Sequence, residues 1–242
     1  MVKKIIRGPT GNKKVKVQWE EAYKKIAKLR DTFTAPVDIE GAATLGEDED
    51  PKVFRFQTLV GLMLSSQTRD PVTAKKMRYL VDKGLTIESV LDRTQEQLAE
   101  DLYGVSFHNN KAKYLRKTAQ ILKDKFDGDI PSDYKIVSKL PGVGPKMTHL
   151  FLQICYDKVE GIAVDTHVHR IANRLGWVKT KTPIQTMKAL EKLLPKEKWS
   201  EVNEILVGFG QIICKPIGPQ CEKCSANELC PIGRKKIKLD DE

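Results

Sequence analysis

The 242-residue chain is 40% hydrophobic and 31% charged, enough apolar material for one large core or two small ones. A formal charge of +10 at pH 7 favours an acidic polymer or surface as partner. No apolar stretch is long enough to cross a membrane and the start lacks a signal-peptide core, so neither a membrane protein nor a secreted one is expected.

Residues 1–16 read as a basic disordered tail: Lys3, Lys4, Arg7, Lys13, Lys14 and Lys16 are unopposed by any acid. It reads equally as a solubilising tail or as a contact for nucleic acid or an import receptor. A first helix is predicted over 17–34, with Trp19, Ala22, Ile26 and Leu29 at helical spacing. Residues 35–51 read as a loop holding the acidic run Glu47-Asp48-Glu49-Asp50. Residues 52–66 are apolar nearly all round, which predicts the central helix of a bundle. The polar stretch Ser65-Ser66-Gln67-Thr68-Arg69-Asp70-Pro71 interrupts it. Asp70 is expected to cap, and Pro71 to begin, a helix running to about Val81.

Short helices are predicted at 86–92, from Thr86, and at 94–103, from the Thr94/Gln97 capping-box pattern. A basic amphipathic helix follows at 108–126, with Ala112, Leu115, Ala119 and Leu122 on one side and Lys111, Lys113, Arg116 and Lys117 on the others. Residues 133–139 lead into Leu140-Pro141-Gly142-Val143-Gly144-Pro145-Lys146, which reads as a helix end, a tight glycine hairpin and a new helix start. The next helix, 144–157, buries Met147, Leu150, Phe151 and Ile154, with Lys146, His149 and Gln153 on a more accessible line and Cys155 as a buried free thiol. Asp165 opens another helix, and two more span 183–194 and 199–213. No segment alternates as a strand, so the fold is expected to be all-α with about ten helices.

Three features carry chemistry. The hairpin can aim backbone N–H groups at an anion. Lys146, just inside the following helix, reads as a solvated surface lysine or as a nucleophile, which must attack in its neutral form. Asp165 reads as a plain N-cap or as a carboxylate that stabilises developing positive charge and moves protons. Ser66, Gln67 and Thr68 read as an ordinary polar helix end, or as groups that contact base edges or fill the place of an extruded base. His167 and His169 lack a third ligand partner and read as satisfied polar groups or phosphate contacts. Cys214, Cys221, Cys224 and Cys230, spaced C-x6-C-x2-C-x5-C, suggest metal ligation, by zinc or by a four-iron, four-sulfur (4Fe-4S) cluster.

In this order and spacing, Leu64–Asp70, Leu140–Lys146, Val164-Asp165-Thr166-His167-Val168-His169-Arg170 and the four-cysteine loop resemble the endonuclease III type DNA glycosylases of the helix-hairpin-helix superfamily, in their eukaryotic form. The resemblance implies two helical domains with a DNA-binding cleft between them. One would be a six-helix domain, 50–159, containing the hairpin 140–146. The other would be discontinuous, 17–49 with 160–242, and closed by an iron–sulfur loop at 214–230. It further implies a bifunctional glycosylase and apurinic/apyrimidinic-site lyase that removes oxidised pyrimidines from duplex DNA in base excision repair. Lys146 would be the nucleophile at the deoxyribose C1′ and Asp165 its partner. Gln67 would fill the gap left by the flipped base, and the Gly142 and Gly144 amides would hold a backbone phosphate. The cysteines would bind a 4Fe-4S cluster. A monomer acting on damaged or abasic duplex DNA is expected, in the nucleus, with the mitochondrion also open. The competing reading is a non-catalytic DNA-binding module.

Overall fold

The computed structural model of the chain describes residues 12–40 and 50–240. Residues 1–11 of the expected basic tail, and the acidic run up to Glu49, therefore lie outside the described residues. The described chain is all-α, with thirteen α-helices, a few 3-10 turns and no strand. It divides into two compact units, Pro36–Ala163, and Met1–Ala35 with Val164–Glu242.

The unit Pro36–Ala163 is built from α2 (Pro36–Glu40), α3 (Pro51–Ser65), α4 (Asp70–Asp82), α5 (Ile87–Leu91), α6 (Gln95–Asp101), α7 (His108–Phe126), α8 (Tyr134–Val137) and α9 (Pro145–Tyr156). Its core is α3, whose residues Phe56 through Leu64 are all buried. α3 packs on α4, α7 and α9, and α5 and α6 lie against α7. A helix covered on several sides must be apolar all round, as this one is. α3 starts where the Asp50 carboxylate accepts the Lys52 N–H at 2.7 Å and Pro51 supplies a preset φ. α5 and α6 start at reciprocal capping boxes, Thr86 with Ser89 and Thr94 with Gln97. α7 ends at Asp127 in the left-handed region.

The second unit begins with α1 (Asn12–Arg30), which buries Trp19, Ala22, Tyr23 and Ile26 at helical spacing. The remaining helices are α10 (Thr166–Arg174), α11 (Pro183–Leu193), α12 (Val202–Ile212) and α13 (Pro231–Asp240). α12 packs on both α1 and α10. Gly208 of α12 permits this: a Cβ there would stand 2.1 Å from Arg30 Nε. The Tyr23 hydroxyl donates to Glu201 at 2.8 Å, tying α1 to the start of α12.

Three local expectations need correction. α1 begins at Asn12, so residues 12–16 are helical. Pro36 opens a short helix inside the expected loop, because proline suits a first helical turn. Asp70 does not cap α4. The helix takes it in as its first residue, and Arg69 holds the cap position without a side-chain bond.

α3 is fastened to the turn after α7 by a two-pronged pair: Arg55 Nε and Nη2 donate to the two Asp129 carboxylate oxygens, each at 2.7 Å. Burial alone would push the Asp129 carboxyl up, but the bonds from Arg55 and from the Ile130 N–H hold it below its ordinary 3.8. Asp129→Ala should therefore cost about 2 kcal/mol in urea unfolding at neutral pH. Because the folded-state value is depressed, the wild-type advantage should be complete well above pH 3.8 and should vanish as pH falls below it.

Candidate active site

The hairpin joins α8 to α9. The Val143 N–H closes the turn on Leu140 O at 3.0 Å, with Gly142 and Gly144 on either side of it. Gly142 has φ +80, and a Cβ there would sit 2.9 Å from Tyr114 Cδ2. Both the backbone conformation and the aromatic wall thus require glycine. Gly144 is the N-cap of α9, and its carbonyl accepts the Thr148 hydroxyl at 3.0 Å. Pro145 follows at the first helical position, which places Lys146, half-buried, in the first turn. The structure thus brings Gly142, Gly144 and Lys146 together on one hairpin. His149, expected on an accessible line, is 6% exposed and stacked on the Tyr134 ring at 4.8 Å. Its burial lowers the imidazole's proton affinity.

Gln67 lies in the same unit, in the loop between α3 and α4. It is exposed, with φ +54, the left-handed region that a glutamine rarely adopts. The loop is held from below by Lys111. Lys111 is 7% exposed, and its ammonium donates to Leu64 O at 2.7 Å, Ser66 O at 2.7 Å and Thr68 Oγ1 at 3.0 Å. The Thr68 hydroxyl oxygen also accepts the Ser106 N–H at 3.3 Å. Beside Ser106, Phe107 is 60% exposed and likewise left-handed, with φ +58. An exposed aromatic at a strained position escaped the sequence reading, because nothing in the side-chain pattern signals a positive φ.

α7 supports both features. Lys111 holds the Gln67 loop, the Tyr114 ring backs Gly142, and Thr118 Oγ1 donates to Pro141 O at 3.2 Å. These three residues follow one line of the helix. Lys111 was expected on an outer face, and its burial corrects that reading.

Asp165 belongs to the other unit. Its carboxylate accepts the Val168 N–H at 2.9 Å as the N-cap of α10, so the capping role holds. The side chain remains half-buried rather than enclosed. On α10, His169 Nδ1 lies 2.6 Å from Thr186 Oγ1, and His167 Nδ1 lies 3.1 Å from Arg170 Nη2. Arg170 donates to the carbonyls of Gly210 and Cys214. Arg174 donates to the carbonyls of Lys215 and Pro216, at 2.7 and 2.8 Å.

The metal expectation is overturned. Cys214, Cys221, Cys224 and Cys230 face one cavity, and none is in a disulfide. Yet among the described residues no three or more His, Cys, Asp or Glu side chains are placed to hold a metal ion. Neither zinc nor a 4Fe-4S cluster is therefore supported at 214–230. Arg174 helps secure this loop: its bonds to the Lys215 and Pro216 carbonyls anchor the first cysteine segment, Nη1 reaches Cys214 Sγ at 3.4 Å, and Cys230 Sγ donates to the Arg174 carbonyl at 3.4 Å. The fifth cysteine, Cys155, is a free thiol whose burial pushes it up to about 12.

Two outcomes follow. Gly142→Ala should lower stability by about 1–3 kcal/mol in urea unfolding, because it combines φ strain with the Tyr114 clash. Peptide mass spectrometry after brief iodoacetamide treatment at neutral pH should find Cys155 unmodified in the native protein and fully modified after denaturation.

Residues 60–196 match the family model described as the HhH-GPD superfamily base excision DNA repair protein. The chain is 50% identical over 218 residues to the endonuclease III homolog of Schizosaccharomyces pombe, spanning 88% of this chain and 61% of that one. It is 49% identical over 216 residues to endonuclease III-like protein 1 of Mus musculus, spanning 88% and 72%. Among solved structures it is similar to a non-covalent endonuclease III–DNA complex, with TM-score 0.80 and 30% identity, covering 92% of this chain and 98% of that one. It is also similar to a trapped endonuclease III–DNA covalent intermediate, with TM-score 0.79, 30% identity and the same coverage. Among the described residues, no helix is long and apolar enough to cross a membrane.

Proposed function

Because the chain belongs to the HhH-GPD superfamily of base excision DNA repair proteins, we propose that it is a bifunctional DNA glycosylase and abasic-site lyase acting on duplex DNA, with oxidised pyrimidines as its substrates. The observation that carries the reading is the likeness to a trapped endonuclease III–DNA covalent intermediate, together with a lysine in the first turn of the helix after the hairpin.

The hairpin docks a backbone phosphate through the amides flanking Val143, where the start of α9 adds its positive dipole. The target base leaves the stack, since its sugar carbon is unreachable inside a paired duplex, and Gln67 fills the gap. Lys146 Nζ, in its neutral form, attacks C1′. The C1′–N bond to the base breaks, and the base departs with its electron pair and takes up a proton. Ring opening gives a protonated Schiff base between Nζ and C1′. Loss of a proton from C2′ then expels the 3′-phosphate, which nicks the strand, and hydrolysis of the imine frees Lys146. Asp165 stabilises the positive charge that develops on the sugar and carries protons in these steps. Its bond to the Val168 N–H supports that role by fixing the carboxylate's orientation.

Lys146→Gln should abolish the borohydride-trapped adduct on a duplex carrying one thymine glycol, with duplex binding kept. Asp165→Asn should slow single-turnover base release by about 10²-fold or more without loss of fold. Wild-type turnover in either variant would remove that residue from the mechanism.

A further inference from the structure

Lys111 has no place in the chemistry above, yet it is the most enclosed lysine in the neighbourhood of the expected DNA-contacting loops, 7% exposed. All three of its N–H donors are used, on Leu64 O, Ser66 O and Thr68 Oγ1. None of these partners is a carboxylate. Burial pushes the ammonium down to about 8, so enclosing this charge is costly. An apolar residue would avoid that cost if packing were the only requirement.

The three acceptors bracket Gln67. α3 ends at Ser65, which leaves its last carbonyls without helical partners at the negative end of the helix dipole. The Ser65 hydroxyl takes Leu62 O, the Thr68 N–H takes Ser65 O, and Lys111 takes Leu64 O. Lys111 then reaches past the helix end to Ser66 O and Thr68 Oγ1, the residues on either side of Gln67. Between these two fixed points Gln67 is held at φ +54 and exposed. A left-handed glutamine persists only where its surroundings determine it.

We propose that Lys111 is a positioning residue for base excision: its buried ammonium fixes the α3–α4 loop in the strained conformation that presents Gln67 to the DNA duplex. This rests on the proposed role of Gln67. The fixed loop removes the need to order it each time DNA is engaged. The Thr68 hydroxyl, which also accepts the Ser106 N–H, ties the exposed Phe107 segment to the same anchor.

The test is a double-mutant cycle on single-turnover base release from a duplex carrying one thymine glycol, using Gln67→Ala, Lys111→Met and the double variant, all below the onset of thermal unfolding. Gln67→Ala and Lys111→Met should each slow release by about tenfold or more, and the double variant should be no slower than the slower single. Losses that multiply would overturn the proposal, since a purely structural lysine acts independently of Gln67. Wild-type rates in Gln67→Ala would instead overturn the role of Gln67, and the proposal with it. Wild-type rates in Lys111→Met beside a slow Gln67→Ala would overturn the proposal alone. Should Lys111→Met fail to fold, Thr68→Val removes one of the three acceptors, and the same cycle with Gln67→Ala decides between the same outcomes.

Discussion

The unit that carries the hairpin depends on one line of side chains along α7. Lys111, Tyr114 and Thr118 reach, in turn, the loop that presents Gln67, the ring-backed glycine of the hairpin, and the carbonyl that precedes it. The first of these interactions has the largest opposing terms. A buried ammonium loses its hydration, and that loss is why its proton affinity falls. It is offset by three charge-assisted bonds, two of them at 2.7 Å to the carbonyls of Leu64 and Ser66 at the end of α3 and one at 3.0 Å to the Thr68 hydroxyl. Without the ammonium, the buried Leu64 carbonyl would lose its partner, at about 1–3 kcal/mol for a buried group left unsatisfied. The arrangement is therefore stable only as a whole.

The other unit holds Asp165 by different means. Its carboxylate caps α10, and α10 in turn carries Arg170 and Arg174, which bind the carbonyls of the cysteine-bearing loop. A capping carboxylate is kept in one orientation by the N–H it accepts, which suits the charge-stabilising role proposed for Asp165. Lys146 is likewise fixed by a helix start, with Pro145 setting the backbone and the Thr148 hydroxyl closing on Gly144 O.

What was legible in the sequence was local. Thr86 and the Thr94/Gln97 capping-box pattern mark their helices because the capping bonds span only three residues. The limits of α7 follow from an unbroken apolar stripe ending at Asp127-Gly128. The glycine hairpin shows itself because Gly142 and Pro145 leave the backbone few alternatives. What escaped was tertiary. Lys111 reads as one more solvated lysine on a basic helix because its partners stand 43 to 47 residues away. The available signal was its position: it lies one turn before Leu115, in line with the buried stripe rather than opposite it. His149 was misplaced for a similar reason, since the Tyr134 ring that covers it comes from another helix. The cysteine spacing misled in the other direction. Four cysteines close in sequence suggested ligation, but spacing does not fix where the sulfurs converge, and no group suited to an ion is found among the described residues.

In the proposed reaction Lys146, at the first turn after the hairpin, is the residue that becomes bonded to DNA. The most direct measurement is peptide mass spectrometry of the wild-type protein after borohydride reduction on an abasic duplex and nuclease digestion. A deoxyribose remnant is expected on the peptide containing Lys146 and on no other lysine peptide. A remnant on Lys111, on an N-terminal lysine, or on no peptide despite strand cleavage would contradict it.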